Sequence, residues 1–180
     1  AERLVREAWR REGMSEDTEG NALDMFGALI TAGDHKARMD ALLYGTEQEA
    51  GGLRAAKRLG SGHVALAKAR IAANKKSSNL KALLDAVPRE LHADPGYTFA
   101  RIQWLRREEK FNEAAQLMLA TPKDPNRLHN LNEWWVERRL LARETRLSWF
   151  RQIARQHLEL VALAATCEGL FQFVHAVEMV

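Results

Sequence analysis

Cysteine is nearly absent. Cys167 is the single thiol among 180 residues, so neither an intrachain disulfide nor a thiolate metal cage can form, and it reads as a buried thiol. Proline and glycine are sparse, at four and eleven, and Val/Ile clusters are few, which argues against a β-rich or disordered chain. No apolar run is long and uninterrupted. The most hydrophobic stretch, Leu158–Val180, is broken by Glu159, Glu168, His175 and Glu178, so it reads as a buried or interface helix and not as a membrane span. An excess of one charge is also missing. Twenty-seven basic side chains stand against 24 acidic ones, interleaved as in Arg106-Arg107-Glu108-Glu109 and Glu137-Arg138-Arg139. That even mixture suits solvated helix faces and does not favour nucleic acid, including RNA held on an Arg-rich surface.

The usual constellations of chemistry are missing too. His35, His63, His92, His129, His157 and His175 are scattered without ligand spacing, so no metal site is expected. Gly51-Gly52 and Gly60-Ser61-Gly62 lack the spacing and the Lys-Ser/Thr of a phosphate loop. Glu133 and Glu137 lie one helical turn apart, but beside Arg138, Arg139 and Arg143 they read as surface ion pairs and not as an acid/base couple. No catalytic residue and no cofactor are expected.

What is abundant is helix-forming. Ala, Leu, Arg, Lys and Glu dominate, the residues that lose least on entering a helix. Glu2–Arg11 places Leu4, Val5, Ala8 and Trp9 on one face, and Gly13 ends it. Ser15 caps a second helix expected to run through Ile30, with Leu23, Phe26 and Ile30 inward. Thr31–Asp34 reads as a turn, with Asp34 capping a helix that carries Met39, Leu42 and Leu43. Gly51-Gly52 is expected to weaken or kink the next segment. Ser61 opens a helix to about Ala73, and Ser77/Ser78 open one carrying Leu80, Leu83 and Leu84, closed by Pro88. Asp94-Pro95 is an N-cap with Pro at the first helical position, followed by Phe99, Ile102, Trp104 and Leu105. A turn, a second helix, a Pro-marked loop and a third helix opened by Asn132-Glu133-Trp134-Trp135 complete the stretch to Glu144. A weak repeat relates Ala32–Leu43 to Arg107–Leu119. Short helices joined by short loops suit an all-α solenoid, a superhelix of antiparallel helix pairs without β-sheet, better than a long four-helix bundle.

Three segments carry a resemblance: AWRREGMSEDTEGNALDMFGALITAGDHKARMDALLYG, LHADPGYTFARIQWLRREEKFNEAAQLML and NEWWVERRLLARE. Together they resemble the N-terminal superhelical domain of soluble lytic murein transglycosylases of the alphaproteobacterial type, over roughly residues 4–144. The resemblance implies a ring or horseshoe of short helices and a periplasmic location. In that family a downstream domain cleaves the MurNAc–GlcNAc bond without water, leaving a 1,6-anhydro sugar, and its catalytic Glu lies in a Glu-Ser motif. No Glu-Ser dipeptide occurs in this chain, so the chain is expected to be inactive by itself. Residues 1–144 are read as the superhelical domain and 145–180 as a helical tail that departs from the family pattern.

The resemblance makes peptidoglycan, or the family's own catalytic domain, the expected partner, met by Arg101, Arg106, Arg138 and Arg139. Trp104, Trp134 and Trp135 are the candidate sugar-stacking residues, since aromatic rings stack on pyranose faces. Neighbours on a helix point about 100° apart, so one of Trp134 and Trp135 is expected in the core and the other at an edge. Self-association through the apolar tail follows if that face is uncovered. The alternative function is a helical-repeat adaptor that binds a protein partner in its groove.

Overall fold

The computed structural model describes residues 1–122 and 128–161, with side chains described as far as Arg146. The chain divides into two units, Ala1–Leu141 and Ala142–Val180. The segment beyond Val161, including Cys167 and His175, lies outside the described residues. The fold is all-α, and among the described residues there is no strand. The α-helices are α1 Glu2–Arg11, α2 Glu16–Phe26, α3 Ala32–Leu42, α4 Glu49–Lys57, α5 Ser61–Asn74, α6 Leu80–Asp85, α7 Pro95–Arg107, α8 Phe111–Ala120 and α9 Leu131–Val161. Short 3-10 turns occupy Gly27–Leu29 and Arg89–Leu91. Packing stays local in sequence: α1 on α3, α3 on α4, α4 on α5, α5 on α6 and α7, α7 on α8. This order is consistent with stacked helix pairs.

Several helix ends follow directly from capping chemistry. Ser15 caps α2 through Thr18 N (3.1 Å), and Asp94 caps α7 through Gly96 N (2.7 Å) with Pro95 at the first helical position. Other ends differ from expectation. The second helix stops at Phe26 and gives way to the 3-10 turn, leaving Phe26 36% exposed instead of inward. Thr31, not Asp34, is the N-cap of α3. Asp34 sits at the third helical position and completes a capping box, its carboxylate accepting from Thr31 N. A box satisfies two orphan amides at once, which a lone Asp cap cannot do. Ser61 is the first residue of α5 and not its cap. Gly60 holds the cap position at φ 104°, a backbone shape natural to glycine. The two stretches of the weak repeat also differ, since Leu42 and Leu43 are both buried whereas Leu119 is 79% exposed.

Gly51 and Gly52 lie inside α4 and are buried against α3. A Cβ at Gly52 would stand 2.4 Å from Cδ2 and 2.6 Å from Cγ of Leu43. The expected kink is therefore a close helix–helix approach, and the glycine penalty in helix propensity, about 1 kcal/mol, is offset by that packing. Gly52→Ala improves propensity yet is expected to lower stability by about 1–3 kcal/mol through overpacking. Urea unfolding reads the sign, and a stabilised variant would contradict the close-approach account.

Two apolar cores result. The first joins Met39 and Leu43 of the α3 end, Ala55 and Ala56 of α4, Leu66, Ala69 and Ala73 of α5, and Leu80 and Leu84 of α6. The alanines let helices approach closely, so small side chains set the spacing and leucines fill the gaps. The second core gathers Tyr44, Phe99, Ile102, Leu105, Ala114, Met118, Leu128, Trp134 and Leu141. Trp104 is half-buried and packs against both.

Candidate functional site

Buried charges connect the helices. At the α1–α3 junction Asp34 is fully buried, and its carboxylate accepts from Thr31 N (2.8 Å), Thr31 Oγ1 (2.7 Å), Arg6 Nε (3.0 Å) and Arg10 Nε (2.6 Å). Burial alone would raise its pKa, but these bonds from Thr31, Arg10 and Arg6 outweigh it and hold the carboxyl well below the usual carboxylate range. A depressed folded-state pKa gives stability that is complete above the unfolded value, about 3.9, and is lost as pH falls through the folded value. Stability is therefore expected to decline as the pH drops below about 4, and Asp34→Asn to flatten that decline. Urea midpoints from pH 6 down to pH 2.5 test this. Equal slopes for wild type and variant would remove Asp34 from the account.

Next along the chain, Arg38 is fully buried under α1. Its Nη1 donates to Trp9 O (2.7 Å) and Glu12 O (2.6 Å), and its guanidinium lies 4.7 Å from the centre of the Trp9 ring. Glu19 of α2, only 1% exposed, faces Arg38 at 3.5 Å and Arg54 of α4 at 2.9 Å. Burial lowers the Arg38 pKa, and the nearby Glu19 carboxylate opposes the shift. Four helices meet on this pair.

A third cluster draws on α3, α5, α7 and the loop before α9. Arg70 Nη1 donates to Asp40 Oδ1 at 2.7 Å, and its guanidinium lies 4.8 Å from the Tyr44 ring centre. Lys36 pairs with Asp40 and also with Asp94 Oδ2 at 2.8 Å, and His129 Nε2 lies 3.6 Å from Asp40 Oδ2. Gly96 makes room for Arg70, since a Cβ there would stand 2.8 Å from Nη1. Tyr44 Oη accepts from Trp134 Nε1 at 3.0 Å, and burial first of all pushes the Tyr44 hydroxyl up to about 12. Here a His, two carboxylates, a Lys and a Tyr come together, yet each Asp40 oxygen already faces a cation and Tyr44 stays protonated. The chemistry of the cluster is that of a clasp between helices, not of a poised acid and base.

The seven sequence-derived contact residues separate accordingly. Trp134 is 1% exposed, and its ring meets Phe99 edge-on at 4.8 Å. Trp135 is 63% exposed, so the pair divides between core and surface as helical geometry requires. Arg106 makes two bonds to Glu137, at 2.5 and 3.2 Å. Glu137 is thereby a buried partner across helices and not part of a surface ion pair with Arg138, Arg139 or Arg143; its position on the inner face of α9, beside Trp134 and Leu141, dictates this. Arg138 Nη2 lies 3.4 Å from Thr121 Oγ1. Trp104 is half-buried under Lys110 Nζ, 5.2 Å from its ring centre. Arg101 is half-buried, and Arg139 is exposed. Trp135 and Arg139, one turn apart on α9, are the two that face solvent most freely.

Sequence reasoning missed Glu19, Arg38, Asp40 and Arg70. Arg70 left a signal, because it falls on the apolar face of α5 between Leu66 and Ala73. Between α1 and α2 a groove of about 340 Å³ is lined wholly by apolar residues, among them Leu4, Trp9, Phe26 and Ile30. Among the described residues, no group of three or more His, Cys, Asp or Glu is placed to hold a metal ion, and no helix is long and apolar enough to cross a membrane. No family model, curated protein or solved structure matches the chain.

Proposed function

We propose that the chain is a non-catalytic superhelical scaffold segment of a periplasmic lytic transglycosylase, holding peptidoglycan strands or the family's own catalytic domain. The observation that supports this reading most is how the resembling segments use their charged and aromatic residues. Asp34, Arg38 and Glu19 of the first segment and Arg106 of the second join one helix to another, and Trp134 of the third ties α9 to Tyr44 in the turn after α3. Such cross-links stiffen a frame, and the carboxylates of Asp34, Glu19 and Glu137 that take part in them are held by cations and not poised as general acids. Of the seven sequence-derived contact residues, those left for a ligand are Trp135 with Arg139, and half-buried Arg101 on α7. Arginines of this kind suit the carboxylates of peptide stems.

Sedimentation with purified murein sacculi tests the contact. Arg101→Glu combined with Arg139→Glu is expected to cut the pelleted fraction about threefold at low salt, where exposed charges are least screened. The circular dichroism spectrum should stay unchanged. Pelleting equal to wild type would remove these arginines from any glycan contact.

A further inference from the structure

An open groove of about 500 Å³ runs over α5 between α4 and α6. Leu53, Ile71 and Leu83 form its floor, and Glu49, Lys68 and Lys75 stand at its rim. The floor residues are half-buried, with one side packed on the first core and the other turned to the groove. On α5, Lys68, Ile71 and Lys75 recur at the spacing of one helix face. The rim is not electrically balanced. Lys75 is neutralised by Glu49 at 2.5 Å, but Lys68 is exposed and has no ion-pair partner among the described residues. Lys57, one turn beyond Leu53 on α4, and Lys76, just past α5, are likewise exposed and unpaired among the described residues. Glu47, two residues before α4, is the acidic exception.

We propose that this groove docks an acidic amphipathic peptide segment of a partner protein. Two or three aliphatic side chains of the segment would cover Leu53, Ile71 and Leu83, while its Asp or Glu carboxylates meet Lys68. The size falls within the range of grooves that take a few side chains, and an apolar floor with a cationic rim is the complement of an acidic helix or strand. A purely polyanionic partner such as nucleic acid would leave the floor uncovered. The inference does not rest on the peptidoglycan reading, because none of Arg101, Trp135 and Arg139 lines this groove.

The experiment is a selection of phage-displayed random peptides on the whole chain, followed by fluorescence anisotropy with the best binder. The expected consensus alternates Leu, Ile or Phe with Asp or Glu. Lys68→Glu should weaken that peptide about tenfold, with the melting temperature unchanged, and added salt should weaken it further. Lys81→Glu, on a different face of α6, should change it less than about twofold. The proposal is overturned if no peptide is recovered, if the consensus is neutral or basic, or if Lys68→Glu has no effect. It is equally overturned if Lys81→Glu weakens binding as much as Lys68→Glu.

Discussion

Trp134→Ala is expected to destabilise the Ala1–Leu141 unit by about 3–5 kcal/mol, the cost of emptying a large aromatic site in a packed core. Trp134 is 1% exposed, lies edge-on to Phe99 at 4.8 Å and donates to Tyr44 Oη at 3.0 Å. Truncation leaves a cavity among Tyr44, Phe99 and Leu141 and takes the donor from a buried hydroxyl. Trp134→Phe keeps most of the volume and loses the hydrogen bond, so its cost is expected nearer about 1–2 kcal/mol. Trp135→Ala, at an exposed site, should stay within about 0.5 kcal/mol. Urea unfolding of the three variants checks the order. Equal costs at positions 134 and 135 would contradict the placement of α9.

Arg38→Ala is expected to cost a similar amount, about 3–5 kcal/mol, because it removes one side of a buried charge pair together with two hydrogen bonds to backbone carbonyls. The loss has two parts. Trp9 O and Glu12 O at the end of α1 lose their donor, and a carbonyl left without a partner is expensive where it is buried, as at Trp9. Glu19 keeps Arg54 at 2.9 Å but loses the guanidinium facing it at 3.5 Å. Arg38→Lys should recover only part of this, since one ammonium could reach both carbonyls that Nη1 meets but cannot also lay a planar guanidinium on Trp9 and face Glu19 with a second nitrogen. Hydrogen exchange should show α1 losing protection before α5. A variant within about 1 kcal/mol of wild type would mean that α1 is held by its apolar face alone.

The all-α class was legible because helix-forming residues recur with helical spacing and carry caps that act locally. Ser15 and Asp94-Pro95 are cases where the deciding bond spans two or three residues, so sequence alone suffices. The division of Trp134 from Trp135 followed from helix geometry in the same way. What could not be read spans greater distances. Arg38 finds Trp9 and Glu12, Arg70 finds Asp40, and Arg106 finds Glu137 across 26 to 31 residues. One sequence gives no sign of which acid a given arginine will meet, and charges read as solvated surface became interior clasps. Gly51-Gly52 misled for a related reason. Propensity registers the entropic cost of glycine, while the benefit comes from Leu42 and Leu43 on another helix. Thr31 and Asp34 were both identified as turn residues, and their box spans only three residues; what lay beyond local reading is that Arg6 and Arg10 donate to the same carboxylate.

The same clasps bear on function. Asp34, Arg38, Glu19, Arg106, Glu137 and Trp134 join parts of the fold, as the proposed scaffold requires, and exposed Trp135 and Arg139 with half-buried Arg101 are the proposed murein contacts. The most direct test is to incubate the chain with purified murein sacculi, sediment them, and analyse pellet and supernatant by mass spectrometry. The scaffold account predicts the chain in the pellet and no 1,6-anhydro-muropeptide in the supernatant. Released anhydro-muropeptides would contradict the non-catalytic assignment, and a chain left wholly in solution would contradict direct contact with peptidoglycan.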